Sequence, residues 1–293
     1  MYLRAGRRLL YLPLLGMALT LAACSTTPSS TGAADGLARQ WQSAAADGRF
    51  DTAFAAARSF ERFNDPRAIG WYERAAATQP WTFHNTQAEE ALGRIWSSGT
   101  LRYDSSPAIT APVLRASWRR GERWYLAAAR HGNPYAFSGL ARAYRNHGDA
   151  QQALRWDLRV LVYERMPFSA SGLPDAVAAH GTTVHPRVAA IQRAAARGDA
   201  EAQVDLGALL ERGVGLPRDP AQALQLYQRA GEQGDVFGQY FAGLLLGRGA
   251  PGVAKDSAAA AAWFTRAEAQ RFYMAAPSYW QRAVEPPMFR FSK

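Results

Sequence analysis

One segment of this chain nearly repeats itself, and that constrains the fold more than any other feature. Residues 199–234 begin Asp199-Ala200-Glu201-Ala202-Gln203 and align with the segment that follows at an offset of 36. Leu206-Gly207 then meets Ala242-Gly243, Leu210 meets Leu246, and Gly213 meets Gly249. One inserted residue raises the offset to 37. Gly215 then meets Gly252, Asp219 meets Asp256, Ala223 meets Ala260, Leu226-Tyr227 meets Trp263-Phe264, and Ala230 meets Ala267. Self-similarity at this period marks a helical solenoid, in which each unit is a helix pair unable to bury its apolar face alone.

Each repeated residue has a physical role in such a pair. Gly207 and Gly243 fall inside a helix, where glycine costs about 1 kcal/mol relative to alanine. The missing side chain compensates if it lets a second helix come close. Ala223, Ala230, Ala260 and Ala267 offer small contacts on that second helix, and Leu226-Tyr227 and Trp263-Phe264 place bulk on its buried face. Gly213 and Gly249 suit helix C-caps. Asp219 and Asp256 suit N-caps of the next helix. The unit reads helix, glycine loop, helix.

The pattern Leu206-Gly207, Gly213, Gly215, Asp219, Ala223, Tyr227, Ala230, Gly234 resembles the Sel1-like repeat, a relative of the tetratricopeptide repeat. The second copy departs from it with Ala242 in place of leucine and a longer loop through Ala250-Pro251. The resemblance implies an all-α, right-handed α-solenoid of stacked antiparallel helix pairs. It also implies a protein–protein interaction scaffold that presents a long concave surface and is not an enzyme.

Fainter copies lie upstream. Leu92-Gly93-Arg94-Ile95-Trp96 with Gly99 repeats the first-helix spacing, and Trp71-Tyr72 and Trp124-Tyr125 repeat the second. Phe137, Leu140, Ala141, Tyr144, Gly148 and Ala153 follow tetratricopeptide spacing around a short turn, and Ala190 to Gly198 reads as another second helix. Six or seven pairs are expected between about 36 and 270. Pro167, Gly172, Pro174, Gly181 and Pro186 mark residues 165–186 as an irregular connection. A helix through Ser278 to Val284 is expected to cap the last unit, because an array must cover its exposed end. Residues 286–293 read equally as packing or as an adhesive tail.

The N-terminus sets a compartment. Arg4, Arg7 and Arg8 precede a mostly apolar run from Leu9 to Leu21, too short for a span of about 20 residues. Cys24, the single cysteine, follows Leu21-Ala22-Ala23. This arrangement resembles the lipobox of bacterial lipoproteins, whose cysteine becomes the lipidated N-terminus. Ser25 resembles the outer-membrane sorting signal. With Cys24 acylated, no thiol remains for a disulfide, a metal or a nucleophile. Residues 24–36 hold almost nothing to bury and read as a flexible tether of roughly 20 Å. The expected organisation is a signal peptide over 1–23, the lipidated tether over 24–36 and degenerate repeats over 37–164. The connection over 165–186, clear repeats over 187–270 and a capping helix with tail over 271–293 follow.

The formal charge is +10, of which Arg4, Arg7 and Arg8 belong to the leader, and Lys255 and Lys293 are the only lysines. A basic surface favours anionic partners such as lipid phosphate or acidic polysaccharide. The arginines are scattered rather than clustered, and nucleic acid is not expected outside the cytoplasm. The plain reading is a solvated, arginine-rich helical surface.

The sequence holds no pattern that carries chemistry. Gly247-Arg248-Gly249-Ala250-Pro251-Gly252 fits G-x-G-x-x-G but follows a repeat helix rather than a strand. His84, His131, His147, His180 and His185 form no metal-binding spacing and read as loop histidines. Glu89-Glu90 point to different helix faces. No metal, cofactor or catalytic residue is expected. The expected partners are envelope proteins, with the membrane reached through the lipid anchor. The expected place is the outer membrane, facing the periplasm. By analogy with repeat lipoproteins of alginate export, exopolysaccharide secretion is one assembly it could serve. The competing reading is direct binding of an anionic polymer by the arginine-rich surface.

Overall fold

The computed structural model describes residues 48–79, 82–101, 114–164 and 185–284, together with Gly36 and Trp41. Among the described residues from 48 onward, twelve helices follow one another in this order: α1 (Phe50–Arg62), α2 (Arg67–Ala77), α3 (Phe83–Ser98), α4 (Trp118–Arg130), α5 (Pro134–His147), α6 (Ala150–Glu164), α7 (Pro186–Ala196), α8 (Ala200–Arg212), α9 (Pro220–Glu232), α10 (Val236–Arg248), α11 (Ser257–Ala269) and α12 (Pro277–Val284). No strand occurs among the described residues, apart from one isolated bridge between Ala250 and Val253.

Local chemistry sets the helix starts. Asp199, Asp219, Asp235 and Asp256 each accept a hydrogen bond from the backbone N–H three residues on, at 2.8–2.9 Å. A side-chain oxygen there satisfies one of the orphan donors of the first turn. Asn133 and His185 cap α5 and α7, and Pro134 and Pro186 take the first helical position, where a missing N–H does no harm. Gly213 ends α8 in the left-handed region at φ 70°, which a side chain would resist.

The helices stack as antiparallel pairs. In α8/α9 the start of one helix bonds the end of the other, through Gln203 and Gln233 at 2.8 Å. At the opposite end Asp219 N donates to the Leu210 carbonyl at 2.9 Å. Pairs α1/α2, α3/α4, α5/α6, α8/α9 and α10/α11 pack in sequence, and α7 packs on α8. That makes five complete pairs plus α7 among the described residues. Before α1, Gly36 and Trp41 are also helical.

Two apolar cores result. One joins α1, α2 and α3 around Phe60, Tyr72, Leu92, Ile95 and Leu101. The larger runs from Tyr125 to Ala275. Each also contains a charged node. Glu61 bonds Arg94 at 2.7 Å and accepts the Tyr72 hydroxyl, while Arg94 also donates to the Leu101 carbonyl at 2.7 Å. Asp205 bridges Arg155 and Arg159 at 2.9 Å each, tying α6 to α8.

The array does not remain open. After α11 a 3-10 turn, Tyr273–Ala275, reaches the turn between α4 and α5. Tyr273 N donates to the His131 carbonyl at 3.0 Å, and the Tyr273 and Tyr279 rings lie 5.1 and 5.6 Å from that of Phe83. Across the inner face, Phe237 sits 5.6 Å from Phe137, 5.8 Å from Trp156 and 5.5 Å from Phe272. The expectation of a long open concave surface is therefore corrected. Aromatic side chains from α5, α6 and α10 meet across it and fill much of it. Helix α12 covers the last pair, with Trp280 stacked 4.8 Å from Phe264.

Candidate functional site

What stays open on the inner face is a cleft of about 490 Å³ beside the aromatic cluster. One wall is α4 with its following turn (Leu126, Arg130, His131) and the end of α5 (Tyr144). Its floor is α6, through Gln152, Arg155, Trp156 and Arg159. The far wall is Glu201 at the start of α8, the Gly234–Phe237 turn into α10, and Gln270. This size suits a small ligand or a few side chains of a polypeptide.

The cleft mixes charge with apolar surface. Arg155 donates through Nε to Asp205 and through Nη1 to Glu201. Arg159 lies over the Trp156 and Phe237 rings at 4.9 and 4.7 Å, an arrangement in which the guanidinium is drawn to the ring faces. Burial raises the Asp235 carboxyl above its ordinary range, against the pull of Arg159 and the Gly238 and Phe237 N–H groups. Burial also raises the Tyr144 hydroxyl, helped by its hydrogen bond to Glu122 at 2.6 Å. His131 pairs with Glu89 at 3.0 Å.

A second hollow, of about 390 Å³, lies by Trp118, Arg142 and His147. Its Arg94 is already committed to Glu61 and Leu101. Among the described residues no group of three or more His, Cys, Asp or Glu could hold a metal ion.

Apart from Gly234, which lines the far wall, the repeat-signature residues stand elsewhere, inside the helix pairs. A Cβ on Gly93 would fall 2.6 Å from the Tyr125 ring, one on Gly207 2.6 Å from Tyr227, and one on Gly243 2.8 Å from Phe264. Each glycine thus makes the hole its aromatic partner fills. Ala223, Ala230, Ala260 and Ala267 are fully buried and Ala141 nearly so. Asp219 and Asp256 cap α9 and α11. Gly148, Gly215, Gly249 and Gly252 hold turns at positive φ. None of these lines the cleft. Cys24 lies outside the described residues, as do residues 25–35 of the tether and most of the irregular connection; Gly36, the last residue assigned to the tether, is helical.

The histidine reading is corrected in part. His84 is in α3, His147 ends α5 stacked 5.0 Å from Trp118, and His185 caps α7. His180 lies outside the described residues. Sequence reasoning missed Arg155, Arg159, Glu201 and Asp235. The available signal was Arg155 and Arg159 four apart on one helix, which puts two cations on one face.

The family model described as the Sel1 repeat matches residues 61–77, 119–133, 200–235 and 236–271. These four segments of the chain match the Sel1 repeat. The two full matches are α8/α9 and α10/α11, and the two short ones are the second helices α2 and α4. Sel1-repeat proteins are protein-interaction scaffolds. No curated protein matches the chain. Among solved structures, one similar protein is a protective antigen of uropathogenic Escherichia coli strains displaying an SLR fold. It is 21% identical, with 86% of this chain and 51% of that chain covered and a TM-score of 0.32. Another is a Sel1 repeat protein from Oxalobacter formigenes, 20% identical, covering 78% and 74% with a TM-score of 0.30. The chain spans about half the length of the first of these.

Proposed function

We propose that this Sel1-repeat protein is a lipid-anchored scaffold of the bacterial envelope and that its inner-face cleft holds a partner protein. The observation that carries the reading is the cleft itself. Helices α4, α5 and α6 converge on it with the start of α8, the turn into α10 and the end of α11, and it offers cations, carboxylates and apolar surface together. Such mixed, partly desolvated patches are where protein partners find both affinity and register. The anchor rests on the sequence around Cys24: a basic start, a short apolar run, small residues and a polar tether. A body held roughly 20 Å from a membrane could organise an envelope assembly, with exopolysaccharide export as one such assembly.

Recovery of the tethered protein from intact envelopes tests this. A protein partner should co-purify at fixed ratio and be lost with Arg130→Glu, which reverses an exposed charge in the cleft. Cys24→Ser should release the chain into the soluble periplasm. The competing reading, an anionic polymer on the arginine-rich surface, is favoured if acidic polysaccharide is recovered instead. Its binding should fall steeply with salt, because exposed charges are screened.

A further inference from the structure

The floor of the cleft contains an arginine donor that the fold leaves unmet. Arg159 is 2% exposed and lines the cleft. Its Nη1 donates to Asp205 and to the Arg155 carbonyl, both at 2.9 Å. Among the described residues its Nε, also buried, donates to no acceptor. A buried N–H without an acceptor is unfavourable, and a guanidinium presents its donors in a fork suited to a carboxylate.

Beside it, a carboxylate already occupies Arg155. The Arg155 side chain is 15% exposed, whereas Glu201, which it bonds, is 60% exposed. Glu201 is thus a solvent-facing carboxylate held at the cleft on a mostly buried cation. Because its carboxylate faces water, this pair is open to exchange with another carboxylate. Arg130, exposed on the opposite wall, adds a further positive charge.

We infer that the cleft receives an acidic side chain of a partner polypeptide, whose carboxylate replaces Glu201 on Arg155 and satisfies Arg159. The inference rests on the protein-scaffold reading above and gives its partner a chemistry. A polypeptide fits better than a polyuronate. Glu201 and Asp235 stand on the same wall and would repel a chain that carries a carboxylate at every unit. A peptide can set one acid among neutral residues and lay the next against Leu126 and Val236.

The probe is a displayed library of random dodecapeptides, selected on the folded chain that begins at residue 24. Retained peptides should be enriched in Asp or Glu. Replacing that acid by its amide should weaken binding by about tenfold, the worth of one charge-assisted hydrogen bond. Arg130→Gln should weaken binding, and Glu201→Gln, by removing the competing carboxylate, should strengthen it. Both positions are exposed, and an unchanged melting curve verifies the fold. Retained peptides with no acid, or binding weakened by Glu201→Gln, would overturn the inference and leave the scaffold reading standing. A library that yields nothing, while an oligouronate binds in the same cleft, would remove both.

Discussion

Pair α3/α4 and pairs α8/α9 and α10/α11 solve the same packing problem with different polar chemistry. Four residues before the key glycine and six after the facing aromatic, each pair carries a bridge between its helices. In the two later pairs it is amide to amide: Gln203 with Gln233 and Gln239 with Gln270, both 2.8 Å. In α3/α4 the equivalent residues are Glu89 and His131, 3.0 Å apart. The hydroxyl partner varies likewise. In α8/α9 Tyr227 donates to Glu211, as Tyr72 does to Glu61 in the earlier pair α1/α2, whereas Phe264 has no hydroxyl and faces a helix with Gly247 at that place. What persists is the hole and the ring that fills it. Steric fit fixes the pairing, and any bridge that satisfies its own hydrogen bonds is tolerated.

The comparison can be broken most severely at the charged nodes. Asp205→Ala leaves Arg155 and Arg159 without their shared carboxylate, and Glu61→Ala does the same to Arg94 in the earlier region. Removing one partner of a buried pair costs about 3–5 kcal/mol, and urea denaturation followed by circular dichroism should show it in both variants. A loss at one node only would mean that the two regions depend unequally on buried charge.

The next largest effect tests the shared hole. Gly93→Ala and Gly207→Ala each drive a methyl to 2.6 Å from a buried ring. Overpacking of this kind costs about 1–3 kcal/mol. The two losses should agree closely, since the geometry is the same. Gly70 is the control, an exposed glycine in α2 whose added Cβ would meet nothing within 4 Å. Gly70→Ala should stabilise by about 0.5–1 kcal/mol through helix propensity alone.

The smallest effect is on pH dependence. Burial holds the Glu211 carboxyl above its ordinary value of 4.5, although the Tyr227 hydroxyl bonds it. A carboxyl raised in the fold binds its proton more tightly folded than unfolded. Its contribution is therefore present at low pH and is lost as the pH climbs from 4.5 through the raised value. Glu211→Gln keeps an acceptor for Tyr227 and should flatten that decline without abolishing it, because burial also raises Glu90, Asp157 and Asp235. Thermal melts across pH 4 to 7 would check it.

Much of the pair was legible in the sequence, and little of the closure was. Gly207, Gly213, Asp219, Ala223 and Tyr227 each act within one pair, so their spacing carries their meaning. The Arg155–Asp205 bond joins residues 50 apart across the segment that breaks the repeat, and Glu89 meets His131 across 42. The Phe83–Tyr273 contact spans most of the array. How far an array curls is the sum of small rotations at each stack, and no local pattern records that sum. The cleft is bounded by helices from both sides of this closure, so its residues were scattered in the sequence without common spacing.

The central claim is that the C-terminal turn seats on the α4–α5 turn and closes the array around the cleft. Tyr273 reports on it directly, because its N–H donates to the His131 carbonyl 3.0 Å away. Native-state hydrogen exchange at that amide should show protection close to that of the buried helices, lost on Phe83→Ala. Exchange at the rate of an unstructured peptide, in a chain whose α10 and α11 remain protected, would contradict the closed array.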